Sequence, residues 1–184
     1  MRPAIALLVC FAVLLAACGD TGTPTPIAEA PIDAAAVERL LTKDDIEDAG
    51  GSADGLDARV EDLREVAGMV DPVQIEGVDA WFSRTITSLS RPGVLLSLRR
   101  FADPTRALGD LQGIQQGGAF EAMDPPVGDR SAIAQGDTPE QGTAIAFVKG
   151  RTLVVLQCPA ATDGTTLLDP SQLTSLAEVL ASRL

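Results

Sequence analysis

The hydrophobic positions change period along this chain, and each change marks an element. From Ala34 onward, Val37, Leu40, Leu41 and Ile46 fit one helical face, and Gly50-Gly51 stops the segment. Thr42 is a favoured N-cap ahead of Lys43-Asp44-Asp45, so this stretch divides into two short helices. A second three-to-four spacing, carried by Leu56, Val60, Leu63, Ala67 and Val70, predicts a helix over 56–70. The period then drops to two. Val78 to Leu89, with Trp81, Phe82, Thr85, Ile86 and Thr87, reads as a strand. Ser90-Arg91-Pro92-Gly93 is turn chemistry, and Val94 to Phe101 is the return strand. Asp103 then offers an N-cap and Pro104 a first helical residue, so a helix should run to Gln116 and end at Gly117-Gly118.

The second half repeats this order. Ser131 to Gln135 is a short strand candidate, and Thr143 to Lys149 with Arg151 to Cys158 form a hairpin about Gly150. Asp169-Pro170-Ser171 opens a last helix with Leu173, Leu176, Ala177, Leu180 and Leu184 on one face. Hairpin, Asp-Pro-Thr/Ser, helix: the unit recurs after 66 residues, which suggests a duplicated ββα unit. The expected class is α+β, an antiparallel sheet with helices packed on one face. The run Thr143-Ala144-Ile145-Ala146-Phe147-Val148 is apolar at most positions. Either both faces of that strand are covered or one lines a pocket.

Residues 1–18 follow a different logic. Arg2 precedes an apolar run from Pro3 to Val13, and Leu15-Ala16-Ala17-Cys18 closes it. The run is shorter than the roughly 20 residues that span a bilayer. It has the parts of a secretory signal, and its end resembles the lipobox of bacterial lipoproteins. The resemblance implies cleavage before Cys18, lipidation of that cysteine, and a location on the extracytoplasmic face of the cell membrane. Two or three acyl chains anchor stably, since each buried methylene contributes about 0.8 kcal/mol. Gly19 resembles the case without an inner-membrane retention signal. Residues 19–36, rich in Thr, Pro and Ala, read as a tether of about 50 Å. The expected organisation is a signal peptide over 1–17, lipidated cysteine and tether over 18–36, and one domain over 37–184.

Composition narrows the chemistry. Without residues 1–17 the chain carries 13 basic and 26 acidic side chains, net −13. That balance argues against nucleic acid and against docking on anionic headgroups. The chain has no His and no Tyr, so imidazole catalysis and His-ligated zinc are excluded within it. Cys10 leaves with the signal and Cys18 takes the lipid, so Cys158 has no intramolecular disulfide partner. Ending the run Leu153-Val154-Val155-Leu156, Cys158 reads as a small buried hydrophobe and not as a nucleophile.

The mature part resembles small extracytoplasmic α+β domains of high-GC bacteria, both lipoproteins and the sensor domains of mycobacterial membrane kinases. The likeness rests on a helix such as Leu41 to Ile46, a Gly-Asp turn such as Val127-Gly128-Asp129, and a terminal hairpin followed by a Leu/Ala-rich helix. Two lysines against twelve arginines suit such a source. The resemblance implies a binding or sensing module and supplies no catalytic residue.

Candidate sites follow from charge and aromatics. Residues 50–61 fit an EF-hand loop poorly, because Gly50 stands where an aspartate ligand is needed; no metal or cofactor is expected. Gly128-Asp129-Arg130-Ser131 lacks a nucleophile elbow, and Asp129 reads as capping its own turn. Paired carboxylates of glycosidase type are open to a chain with 26 acids, yet one Trp and four Phe offer little to grip a sugar. Trp81 and Phe82 point to opposite sheet faces, one into the core and the other available to a groove. Arg84, Arg91, Arg99, Arg100 and Arg106 reverse the local sign against Asp103. They serve either an anionic ligand or the acidic helices expected over 38–65. The candidate ligand or partner residues are therefore Trp81, Phe82, Arg84, Arg99 and Arg100. The expected function is a non-enzymatic binding or sensor module. Two alternatives are a carrier of lipid or another hydrophobic molecule, and a structural cell-envelope protein. A small hydrophobic ligand or an envelope protein is the expected partner, besides the membrane itself.

Overall fold

Seven strands pair into one antiparallel sheet in the computed structural model, which describes residues 31–65, 77–88, 91–136 and 142–184. Leu15, Ala16, Ala17 and Cys18 lie outside the described residues, as do Ala67 and Val70. The helices are α1 (Ala34–Leu40), α2 (Lys43–Asp48), α3 (Pro104–Gln116) and α4 (Pro170–Arg183). The strands are β1 (Asp57–Asp62), β2 (Val78–Thr87), β3 (Val94–Phe101), β4 (Glu121–Ala122), β5 (Arg130–Gln135), β6 (Thr143–Lys149) and β7 (Thr152–Cys158). Their order across the sheet is β1-β2-β3-β7-β6-β5-β4. The class is α+β.

The helix starts obey their local chemistry. Thr42 caps α2 in a reciprocal box with Asp45, and Asp169 does the same for α4 with Gln172. Asp103 accepts from the Thr105 amide ahead of α3. Gly118, at φ +85°, ends α3 in the left-handed conformation that a Cβ disfavours.

Two layers of core flank the sheet. On one face α1, α2 and α4 press Val37, Leu41, Ile46, Leu173, Leu176 and Leu180 onto Leu96, Leu98, Phe147 and Leu156. On the other face α3 places Ala107 and Leu111 over Phe101, Ala146, Val148 and Leu153. Burying a leucine contributes about 1.5–3 kcal/mol, so α4 is held more firmly than α3. The expected single helical face describes α1, α2 and α4; α3 departs from it.

That departure bears on the duplicated unit. β3 and β7 are adjacent and antiparallel. The two-fold axis that would exchange their hairpins stands perpendicular to the sheet and keeps each helix on its own face. α3 and α4 lie on opposite faces, so the ββα order repeats in sequence but not in space. The connections give the reason. Phe101 points toward the α3 face and only Ala102 and Asp103 precede the helix, whereas Cys158 points toward the α4 face and residues 159–169 precede it.

Two expectations fail locally. Residues 57–62 form an edge strand and not a helix. β2 offers a long edge, and Asp57, Ala58, Arg59, Val60, Glu61 and Asp62 pair along it, so tertiary pairing overrides a sparse helical spacing. The charges on this edge also discourage pairing with another chain. Leu184 stands exposed beyond the end of α4, and Ala181 takes the buried position.

Candidate functional site

Register, which spacing cannot supply, divides the five candidate residues between the two faces. Trp81 lies directly opposite Arg99 on the α3 face, and the guanidinium stacks 4.7 Å from the ring centroid. Arg99 also meets Asp110 of α3 at 3.4 Å. The Trp81 indole N–H is buried without a hydrogen-bond partner. Phe82, Arg84 and Arg100 occupy the opposite parity and are buried. Arg84 donates to the Leu41 carbonyl at 3.3 Å, which fastens the α1–α2 corner to the sheet. Both aromatics are core residues, so neither supplies the open groove expected of one of them.

The positive segment does meet the 41–54 region, but through backbone. Arg91 donates to the carbonyls of Ser52 and Asp54 at 2.8 and 2.7 Å. The carboxylate in that region, Asp45, is taken instead by Arg183, with bonds of 2.6 and 2.8 Å. Arg183 also donates to the Leu40 carbonyl, tying α4 to the α1–α2 corner. Asp129 departs from expectation too. It accepts from the Gly150 amide at 2.6 Å and so caps the distant β6–β7 turn, where Gly150 sits at φ +56°.

Space for a ligand lies at two ends of the sheet. One cleft, of about 430 Å³, opens where α1 meets β1 and β2, with Ile32 and Phe82 among its apolar lining. Its acids are already engaged. Asp33 accepts from the Ala36 amide, Asp62 from the Arg64 amide, and Asp79 from Arg151. Arg64 donates to the Asp79 carbonyl. The second cleft, of about 640 Å³, lies between the end of α3 and the β5–β6 ends. Ala134 and Ala144, cross-strand neighbours, line it beside Gly118, Ala119 and Gly142, with Glu121 as its one carboxylate. Thus β6 satisfies both expectations. Ala146 and Val148 are covered by α3, while Ala144 lines open space.

The ionisable groups are set for structure. The Thr105 and Ser171 side chains and nearby backbone amides hold Asp103 and Asp169 below the usual carboxylate range. Asp163 follows the same pattern through Thr165. Burial opposes the charge on Asp45, but the bonds from Arg183 and Thr42 outweigh it and lower its pKa. Burial pushes the Cys158 thiol up, although its sulfur accepts from the Leu168 amide at 3.4 Å. Among the described residues no three His, Cys, Asp or Glu side chains converge as a metal site. No protein-family model matches the chain, and no curated protein matches it.

The second cleft escaped the sequence reading because β4 is two residues long and carries no period. The glycines that frame it, Gly117-Gly118 and Gly136, are its one legible trace.

Proposed function

We propose that this chain is a lipid-anchored lipoprotein of the cell membrane, facing away from the cytoplasm, whose domain is a non-enzymatic binding or sensor module. The observation that carries the reading is the cleft of about 640 Å³ beside β5, which offers space and small side chains but a single carboxylate. Acid–base chemistry needs a group poised near the working pH. The carboxyls that shift here shift downward, and the buried thiol shifts upward, away from that requirement. A lipid carrier would keep its ligand in an apolar chamber between sheet and helices. Leu156, Leu173, Leu176, Leu180 and Phe147 fill that layer, which favours a surface binder over a carrier.

Native mass spectrometry of the protein purified from its host's membranes tests the reading. A stoichiometric extra mass beyond the Cys18 lipid supports a small-molecule sensor. A clean lipidated mass directs the role to a protein partner. The anchor is tested separately by Cys18→Ala, which is expected to release the protein from membranes. Retention of that variant after high-salt washing overturns the lipid anchor.

A further inference from the structure

On the reading of this domain as a binding module, we infer that the cleft beside β5 takes an extended basic-apolar peptide, paired as an added strand. The argument begins with the alternation of backbone groups along β5. The Gly136 amide donates to the Gly142 carbonyl on the β6 side, while the Ser131 carbonyl accepts from the Met123 amide on the β4 side. Residues of one parity therefore face β6, and Ser131, Ile133 and Gln135 face β4. Glu121 is opposite Ile133, and there β4 begins. Its chain has just left the left-handed turn at Gly118, so no strand runs opposite Gln135. The N–H and C=O of Gln135 are directed into the open cleft. Such an edge is the backbone template for strand addition.

The lining fits a peptide in that position. A strand pairs at about 4.8 Å from its neighbour, which requires that nothing bulky stand in the way. Gly118, Ala119, Gly136 and Gly142 leave the approach clear. Ala134 and Ala144, side by side in register, form a shallow floor with room for a large apolar side chain. Glu121 stands exposed at the rim, and no cation lies within ion-pair distance of it among the described residues. A Lys or Arg of the peptide completes that charge. The acidic balance of the whole chain, net −12, further favours a basic partner and repels an acidic one.

The test is selection of a random-peptide phage library on the full-length lipidated protein in detergent, followed by affinity measurements on Gln135→Pro, Ala144→Phe and Glu121→Gln. Gln135→Pro removes the outward N–H from an edge position that tolerates proline. Ala144→Phe fills the floor, and Glu121→Gln removes only the charge. Selected peptides should combine a basic with an apolar residue. Gln135→Pro and Ala144→Phe should each weaken binding about tenfold or more, and Glu121→Gln should weaken it less and abolish its salt dependence. Should Ala144→Phe fail to fold, the other two variants carry the comparison. Failure to select any peptide, or peptides whose affinity none of the folded variants changes, overturns the inference. A non-peptide ligand found by native mass spectrometry alongside that failure leaves the binding-module reading standing, whereas absence of every ligand and partner removes both.

Discussion

The β2–β3–α3 and β6–β7–α4 units share their local signals and differ in nearly everything those signals do not govern. Each has a hairpin, an Asp N-cap, a Pro at the first helical position, and a helix of 13 or 14 residues. Yet α4 buries Leu173, Leu176, Ala177, Leu180 and Ala181, whereas α3 buries only Ala107 and Leu111. α4 is joined to the α1–α2 corner by a bidentate ion pair, and α3 to β3 by one longer contact. Caps decide where a helix begins. The length of the link and the direction of the last strand residue decide which face it covers and how much it buries.

The strongest way to break this contrast is to empty each helix's contact in turn. Leu180→Ala should cost about 3–4 kcal/mol and Leu111→Ala about 2–3, both being fully buried leucines but set in cores of different extent. Urea unfolding at unchanged m-value measures both. An equal or larger cost for Leu111→Ala would mean that α3 anchors the sheet as firmly as α4, and the contrast would fail.

The ion pairs sharpen it next. Arg183→Met leaves Asp45, a buried carboxylate, with only its Thr42 bonds, and should cost about 1–3 kcal/mol. Arg99→Met removes a half-exposed contact to Asp110 together with the Trp81 stacking, and should cost less than about 1 kcal/mol. The pH profile isolates the first effect. Asp45 has a lower pKa folded than unfolded, so the folded state binds its proton less readily. Its stabilisation is complete above the ordinary value of 3.8 and disappears as the pH falls through the lower folded value. Acid titration of stability should therefore be shallower in Arg183→Met than in the wild type, while Arg99→Met should keep the wild-type slope.

How much of this was legible follows the range of the interactions. α3 and α4 could be read almost to the residue, because Asp-Pro starts and the Gly117-Gly118 stop act within one turn. Trp81 and Phe82 were legible as pointing opposite ways, since alternation is a property of one strand. The partners were not. That Trp81 stacks with Arg99, that Arg84 is held by the Leu41 carbonyl and that Arg183 reaches Asp45 depend on register and on contacts up to 138 residues apart. β1 was misread for the same reason, as its strand state comes from β2 and not from its own sequence. The cleft beside β5 exists because a strand is short, and shortness leaves no pattern to read.

The caps give the smallest and most local test. Asp169 accepts from the amides of both Ser171 and Gln172, and Gln172 returns a bond by accepting from the Asp169 amide. Asp103 accepts from the Thr105 amide and hydroxyl, with no return bond. Asp169→Ala therefore leaves more helix-end amides unpaired than Asp103→Ala does. Both variants should lower Tm by a few degrees at neutral pH, with Asp169→Ala the lower of the two. Because both carboxyls are held below the usual range, the wild type should lose its advantage over either variant as acid protonates the cap. Equal Tm losses would show that reciprocal capping adds nothing once α4 is packed, and the two helices would then differ through burial alone.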